Sequence, residues 1–136
     1  MIQLEITETF KSDIKTVWNV VTNNKDYEWR RDIKRIEESD DGKTFVEYSA
    51  KDRETIFTIT KKNAYSEYEF DMEEKLFKGY WKGCFSETEN GGTKVVFTES
   101  ISFKKPIFKI LSCLFVINLK KMQELYITHL RSKLGE

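Results

Sequence analysis

The spacing of apolar positions changes twice along the chain. Ile2, Leu4 and Ile6 alternate with Gln3, Glu5 and Thr7, a strand with one buried face. Ile14, Val17, Trp18 and Val21 then fall at helical spacing, with Ser12 placed to cap the helix and Asp13 in its first turn. Thr22-Asn23-Asn24 ends that helix, and a second short helix or turn is expected to hold Tyr27 and Trp29. From Ile33 the period becomes two and stays so for about 70 residues. Ile33–Glu38 is one strand, and Asp40-Asp41-Gly42-Lys43 is a tight turn. Val46, Tyr48 and Ala50 line one face of the next strand, and residues 54–60 carry Phe57 and Ile59. Residues 65–73 alternate most clearly, with Tyr68, Phe70 and Met72 against Glu67, Glu69, Asp71 and Glu73. Residues 77–89 set Trp81, Gly83 and Phe85 against Tyr80, Lys82 and Cys84. Asn90-Gly91-Gly92 tolerates positive φ and reads as a hairpin. Residues 93–104 return with Val95, Phe97, Ile101 and Phe103 inward.

The last pattern is the longest. Leu111, Phe115, Leu119, Met122, Tyr126, Leu130 and Leu134 form one stripe of a helix from Pro106 to Leu134, roughly 43 Å long at the helical rise. Pro106 suits a first turn and Gly135 a stop. The half from Ile107 to Leu119 is apolar nearly all round, more than one sheet can cover. Neighbouring loops, a ligand, a second subunit or a membrane surface would cover the rest. The run is shorter than the roughly 20 apolar residues that span a bilayer. The order is strand, helix, short helix, six strands, long helix: an α+β chain whose antiparallel sheet buries one face on the last helix.

The 136 residues suffice for one domain, taken as 1–136, with one sizeable core. Ten Phe, six Tyr and three Trp can line a pocket as well as fill a core. Lys plus Arg and Asp plus Glu balance at 23 each, which leaves no global field to draw in nucleic acid. Cys84 and Cys113 read as buried thiols of a reducing cytoplasm. The opening residues alternate and carry Glu5 and Glu8, unlike a signal peptide. A cytoplasmic location is therefore expected.

The opening strand, "SDIKTVWNVVTNNKDYEW", the meander ending "GGTKVVFTES" and the long last helix together resemble the START-like SRPBCC superfamily, nearest its polyketide cyclase/dehydrase and lipid-transport branch. Val17-Trp18 with Tyr27 and Trp29 matches the superfamily's local spacing, although Glu28 stands where Pro is common there. The resemblance implies a helix-grip fold: a curved seven-stranded sheet (β-α-α-β6-α) wrapped around the C-terminal helix, with a cavity between them. It implies binding of lipids, hormones, aromatic polyketides or quinones, and it supplies no universal catalytic residue.

His129 is the only histidine, which excludes multi-histidine metal motifs, and no Walker loop, G-x-G-x-x-G or G-x-S-x-G is present. No metal or cofactor is expected. Two residues are candidates for acid–base work. Glu99 continues Val95 and Phe97 by twos, so alternation points it inward, where a carboxyl would be held protonated. A bulge or a rim salt bridge is its structural alternative. His129 lies on or beside the buried stripe, its alternative being a boundary histidine. The expected binding wall comprises Trp29, Tyr48, Tyr68, Phe70, Met72, Trp81, Phe85, Phe97 and Glu99, faced by Phe115, Leu119, Met122 and Tyr126. Arg30, Arg31, Lys34 and Arg35 read as a solvated surface diluted by Asp32, Glu37 and Glu38, with phosphate or acidic-headgroup binding as the alternative. Lys104 and Lys105 would suit transient contact with an anionic membrane.

Three readings follow: a binder of a small hydrophobic or aromatic molecule, a cofactor-independent cyclase or dehydratase using Glu99 or His129, and an interaction module or homodimer docking through Ile107 to Ile117.

Overall fold

The computed structural model describes residues 1–105 and 112–136, the backbone alone at 112–114. Its elements are β1 (Ile2–Phe10), α1 (Ile14–Thr22), β2 (Ile33–Glu38), β3 (Thr44–Ser49), β4 (Glu54–Asn63), β5 (Glu67–Glu73), β6 (Phe77–Glu87), β7 (Thr93–Phe103) and α2 (Ser112–Lys133). The seven strands form one antiparallel sheet in the order β1-β7-β6-β5-β4-β3-β2. Register shifts at Ile33/Arg35 and Ile59/Lys61 are irregularities of the kind that bend a strand and add twist. Residues 24–29 form turns where a second helix was one of the two expectations. The expected helix start at Pro106 lies outside the described residues, as do the side chains of most of the docking surface expected from Ile107 to Ile117. Within that surface, Ile117 is 54% exposed.

Both helix ends are set by local chemistry. Asp13, not Ser12, caps α1: its carboxylate accepts from the Thr16 N–H at 3.0 Å. Ser12 is engaged elsewhere, donating its hydroxyl to Glu136 Oε2 at 2.8 Å. The same carboxylate accepts from the backbone N–H groups of Lys11 at 2.7 Å and Ser12 at 3.0 Å, which ties the end of α2 to the β1–α1 junction. At that end Gly135 has φ +76°, Glu136 N–H donates to Arg131 C=O and Gly135 N–H to Ser132 C=O, the paired bonds of a Schellman stop.

The core lies between the inner sheet face and the two helices. Val95, Phe97 and Ile101 of β7, Tyr68, Phe70 and Met72 of β5, and Phe85 of β6 are buried there, with Ile127 and Leu130 of α2. α1 covers one end, where Trp18 sets its ring edge-on to Phe85 at 4.9 Å and Tyr68 at 6.1 Å. The face of β3 is the opposite of the one expected. Phe45 turns inward to stack on Phe57 at 4.7 Å, and parity then sends Glu47 and Ser49 inward and Tyr48 outward. Tyr48 lies under the Arg35 guanidinium at 3.9 Å and donates to Glu37 at 3.2 Å. Cys84 is half-buried on the outer face rather than in the core.

Candidate functional site

A cavity of about 350 Å³ separates the inner sheet face from α2. Its apolar wall is aromatic. Trp81 lies parallel to Phe70 at 4.9 Å and tilted against Phe97 at 5.0 Å. Tyr68 and Met72 extend this wall along β5, and Phe45 and Phe57 carry it toward the far edge. From the helix side come Phe115, Leu119, Met122 and Tyr126, the expected stripe at three- and four-residue spacing. Phe115 also meets Phe77 at 6.0 Å and Phe103 at 4.8 Å.

Set into this wall is a group of charges. Arg30 lies just before β2 with its side chain only 15% exposed. It donates to Glu47 Oε2 at 2.8 Å and Asp32 Oδ2 at 3.0 Å, and its guanidinium rests 5.2 Å from the Tyr126 ring centre. Burial alone would lower the Arg30 pKa, but Glu47 and Asp32 outweigh it and hold the guanidinium firmly charged. Arg53 pairs with the buried Glu74 at 2.6 Å. Glu99 has no hydrogen-bond or ionic partner among the described residues. Its strand neighbours are Leu4 on β1 and Trp81 on β6. Burial, and then the negative charge of Glu47, push its carboxyl up to about 7, with Arg30 pulling the other way. Near neutral pH it can therefore give or take a proton.

Several buried polar atoms in this wall lack partners among the described residues: Arg30 Nε, Asp32 Oδ1, Gln123 Nε2 and the Tyr68 hydroxyl. The last lies by the Asn24 amide without a well-formed hydrogen bond, and burial pushes its phenol up to about 12. Groups of this kind are usually satisfied, by water or by something bound.

Of the residues expected on the binding wall, Tyr68, Phe70, Met72, Trp81, Phe97, Glu99, Phe115, Leu119, Met122 and Tyr126 line the cavity. Four expected site residues do not. Tyr48 is on the outer face because of the β3 parity. Phe85 is capped by Trp18. Trp29 stands behind the wall, edge-on to Tyr126 at 5.4 Å, with its indole N–H donated to the Asp26 carbonyl at 3.0 Å. His129 is half-buried and off the cavity wall, its Nδ1 without a partner among the described residues.

The sequence reading placed Arg30 on a solvated surface and did not assign Glu47 to the cavity. Glu47 could have been found from the β3 parity had Phe45 been taken as the anchor; Arg30 sits in a turn, where no period signals direction. Two other cations of that cluster are paired outside, Lys34 with Asp52 at 3.1 Å and Arg35 with Glu37 at 3.0 Å. Lys104 is likewise paired, with Glu73 at 3.0 Å. Among the described residues no helix is long and apolar enough to cross a membrane, and no group of three or more His, Cys, Asp or Glu could hold a metal ion.

No family model matches the chain, and no curated protein matches it in sequence. Solved structures match throughout. A conserved protein from Geobacillus kaustophilus superposes with a TM-score of 0.83 at 10% identity, over 98% of this chain and 95% of that one. A START superfamily protein from Mycobacterium smegmatis gives 0.67 at 15%, over 94% and 98%. DynU16, a protein of the dynemicin biosynthetic locus, gives 0.75 at 9%; it is covered over 47% of its own length, so this chain corresponds to about half of it. The fold is START-like: the helix-grip arrangement of the SRPBCC proteins, with seven antiparallel strands and a long C-terminal helix.

Proposed function

We propose that this chain binds a small, largely apolar molecule in the cavity between its sheet and α2. The observation that carries the reading is an aromatic cavity of about 350 Å³ whose wall holds buried polar atoms without partners among the described residues. Ligand pockets run from about 300 to 1,000 Å³ and combine an apolar lining with a few placed polar groups. This one is at the small end, which favours a single ring system or a single chain over a two-chain lipid. The apolar part of the ligand lies against Trp81, Phe97 and Tyr126, with its polar end toward Glu99 and Glu47.

Two measurements test this. Native mass spectrometry of freshly purified protein should reveal a co-purified small molecule. A thermal-shift panel of fatty acids, quinones, flavonoids and sterols should contain a stabiliser. At 100 times its dissociation constant a ligand adds about 2.7 kcal/mol, enough to raise Tm by about 8 °C. A protein that purifies empty and responds to none of the panel would refute the reading.

A second reading is favoured by one specific feature. Glu99 sits within the cavity with its proton affinity close to neutral, as a general acid or base requires. A cofactor-independent cyclase or dehydratase would use it, and the likeness of fold to DynU16 is compatible with a substrate of biosynthetic origin. His129 has no part in this reading.

A further inference from the structure

The charges facing the cavity do not balance. Among the described residues four carboxyl groups line it, those of Asp32, Glu47, Glu74 and Glu99, against the two guanidinium groups of Arg30 and Arg53. Arg53 and Glu74 cancel as a pair. Arg30 is shared by Asp32 and Glu47, which leaves that cluster one negative charge in excess. Glu99 adds a further acid with no cation of its own. An anionic head would have to displace a carboxylate from Arg30 and would meet Glu99 as well, and like charges brought together in a poorly solvated space repel strongly.

A cation meets the opposite situation. It would give Glu99 the partner it lacks. It would also stand beside Trp81, the cross-strand neighbour of Glu99, whose apolar ring system offers a surface for the rest of the molecule. We propose that the cavity is selective for a small amphipathic molecule with a cationic nitrogen head, its charge held by Glu99 and Glu47 and its apolar part lying between Trp81, Phe97 and α2. This rests on the binding reading above and specifies the class of ligand.

The test is a set of head-group variants on one chain: decylamine, decanol and decanoate, titrated calorimetrically into the intact protein near neutral pH. The amine should bind at least tenfold more tightly than the alcohol, and decanoate should bind most weakly. Glu99→Gln should remove the amine's advantage, bringing the amine and decanol affinities of the variant within about twofold of each other. A second measurement needs no variant. The charged groups acting on Glu99 are Glu47 on β3 and Arg30 before β2; its strand neighbours Leu4 and Trp81 do not titrate, and the Tyr126 phenol on α2 is held above its ordinary value by burial. Amine affinity should therefore fall as the pH drops below about 7, with decanol affinity unchanged. If decanol or decanoate binds as tightly as the amine, the charge selectivity is wrong and the binding reading stands. If none of the three binds, this proposal is overturned, and the binding reading falls with it only if the protein also purifies empty and fails to respond to the thermal-shift panel.

Discussion

Replacing Glu99 by Gln should stabilise the protein at alkaline pH and leave it nearly unchanged in acid. The reasoning starts from the raised proton affinity of this carboxyl in the folded chain. Its ordinary value is 4.5 and its folded value about 7. At 1.36 kcal/mol per pH unit, the ionised form costs the folded state about 3 kcal/mol. The folded chain holds the proton more tightly than the unfolded chain. Stability from this group is therefore fully present below about pH 4.5, is lost as the pH rises toward 7, and is level above that. Between pH 5 and pH 8 the loss is about 2.5 kcal/mol. Gln keeps the shape and the hydrogen-bonding capacity of the protonated acid but cannot ionise.

Urea unfolding of both proteins at several pH values gives the difference directly, and the titration of every other carboxylate drops out of it. The variant should gain about 2 to 3 kcal/mol over the parent between pH 5 and pH 8. A difference that stays flat across this range would show that the Glu99 carboxylate is solvated or paired, and would undercut both its acid–base role and its hold on a cation.

Arg30→Met should be among the most damaging single changes in the cavity wall. It leaves Asp32 and Glu47 facing each other without their shared cation, and breaking a buried pair in this way costs about 3 to 5 kcal/mol. Urea unfolding at neutral pH checks this, and a loss below about 1 kcal/mol would mean the site is wetter than its geometry implies. Gly83→Ala should cost about 1 to 3 kcal/mol and alter the near-ultraviolet circular dichroism of tryptophan. A methyl group there would stand 2.6 Å from Trp81 Cη2, so the indole must move. An unchanged spectrum would refute that.

The fold was legible because strands and helices announce their faces through period. Glu99 is the clearest case: strict alternation from Val95 and Phe97 pointed it inward, and β7 carries no register irregularity before it to undo that. The stripe on α2 placed Phe115, Leu119, Met122 and Tyr126 for the same reason. The failures have physical causes of two kinds. On β3 both parities offered aromatics, Phe45 or Tyr48, and the decision came from partners on other strands: Phe57 and Phe70 receive Phe45 edge and face, while a phenol on the outside finds Arg35 and Glu37. At Trp29, Arg30 and Phe85 the obstacle was tertiary. A tryptophan four residues into α1 caps Phe85, and a turn without period swings Arg30 in and leaves Trp29 behind Tyr126. His129 shows the limit of helical spacing, since a residue three past Tyr126 is still far enough round the helix to miss the wall.

That a cavity persists at all, in a chain so rich in large rings, traces to β6. On its inner face Trp81 is followed by Gly83, and the indole lies along the strand in the place a side chain at 83 would take. Reaching along the strand in this way, it stacks on Phe70 and leans against Phe97. Gly79 yields similarly to Met72 and Ile101, whose side-chain ends lie within 2.9 Å of where its Cβ would be. Both glycines let neighbouring side chains lie close to the sheet, and the space left above them is the space α2 does not fill. The aromatic residues therefore act as a floor rather than a plug. The polar groups set into the surrounding wall remain within reach of whatever enters, as the proposed binding of a small molecule requires.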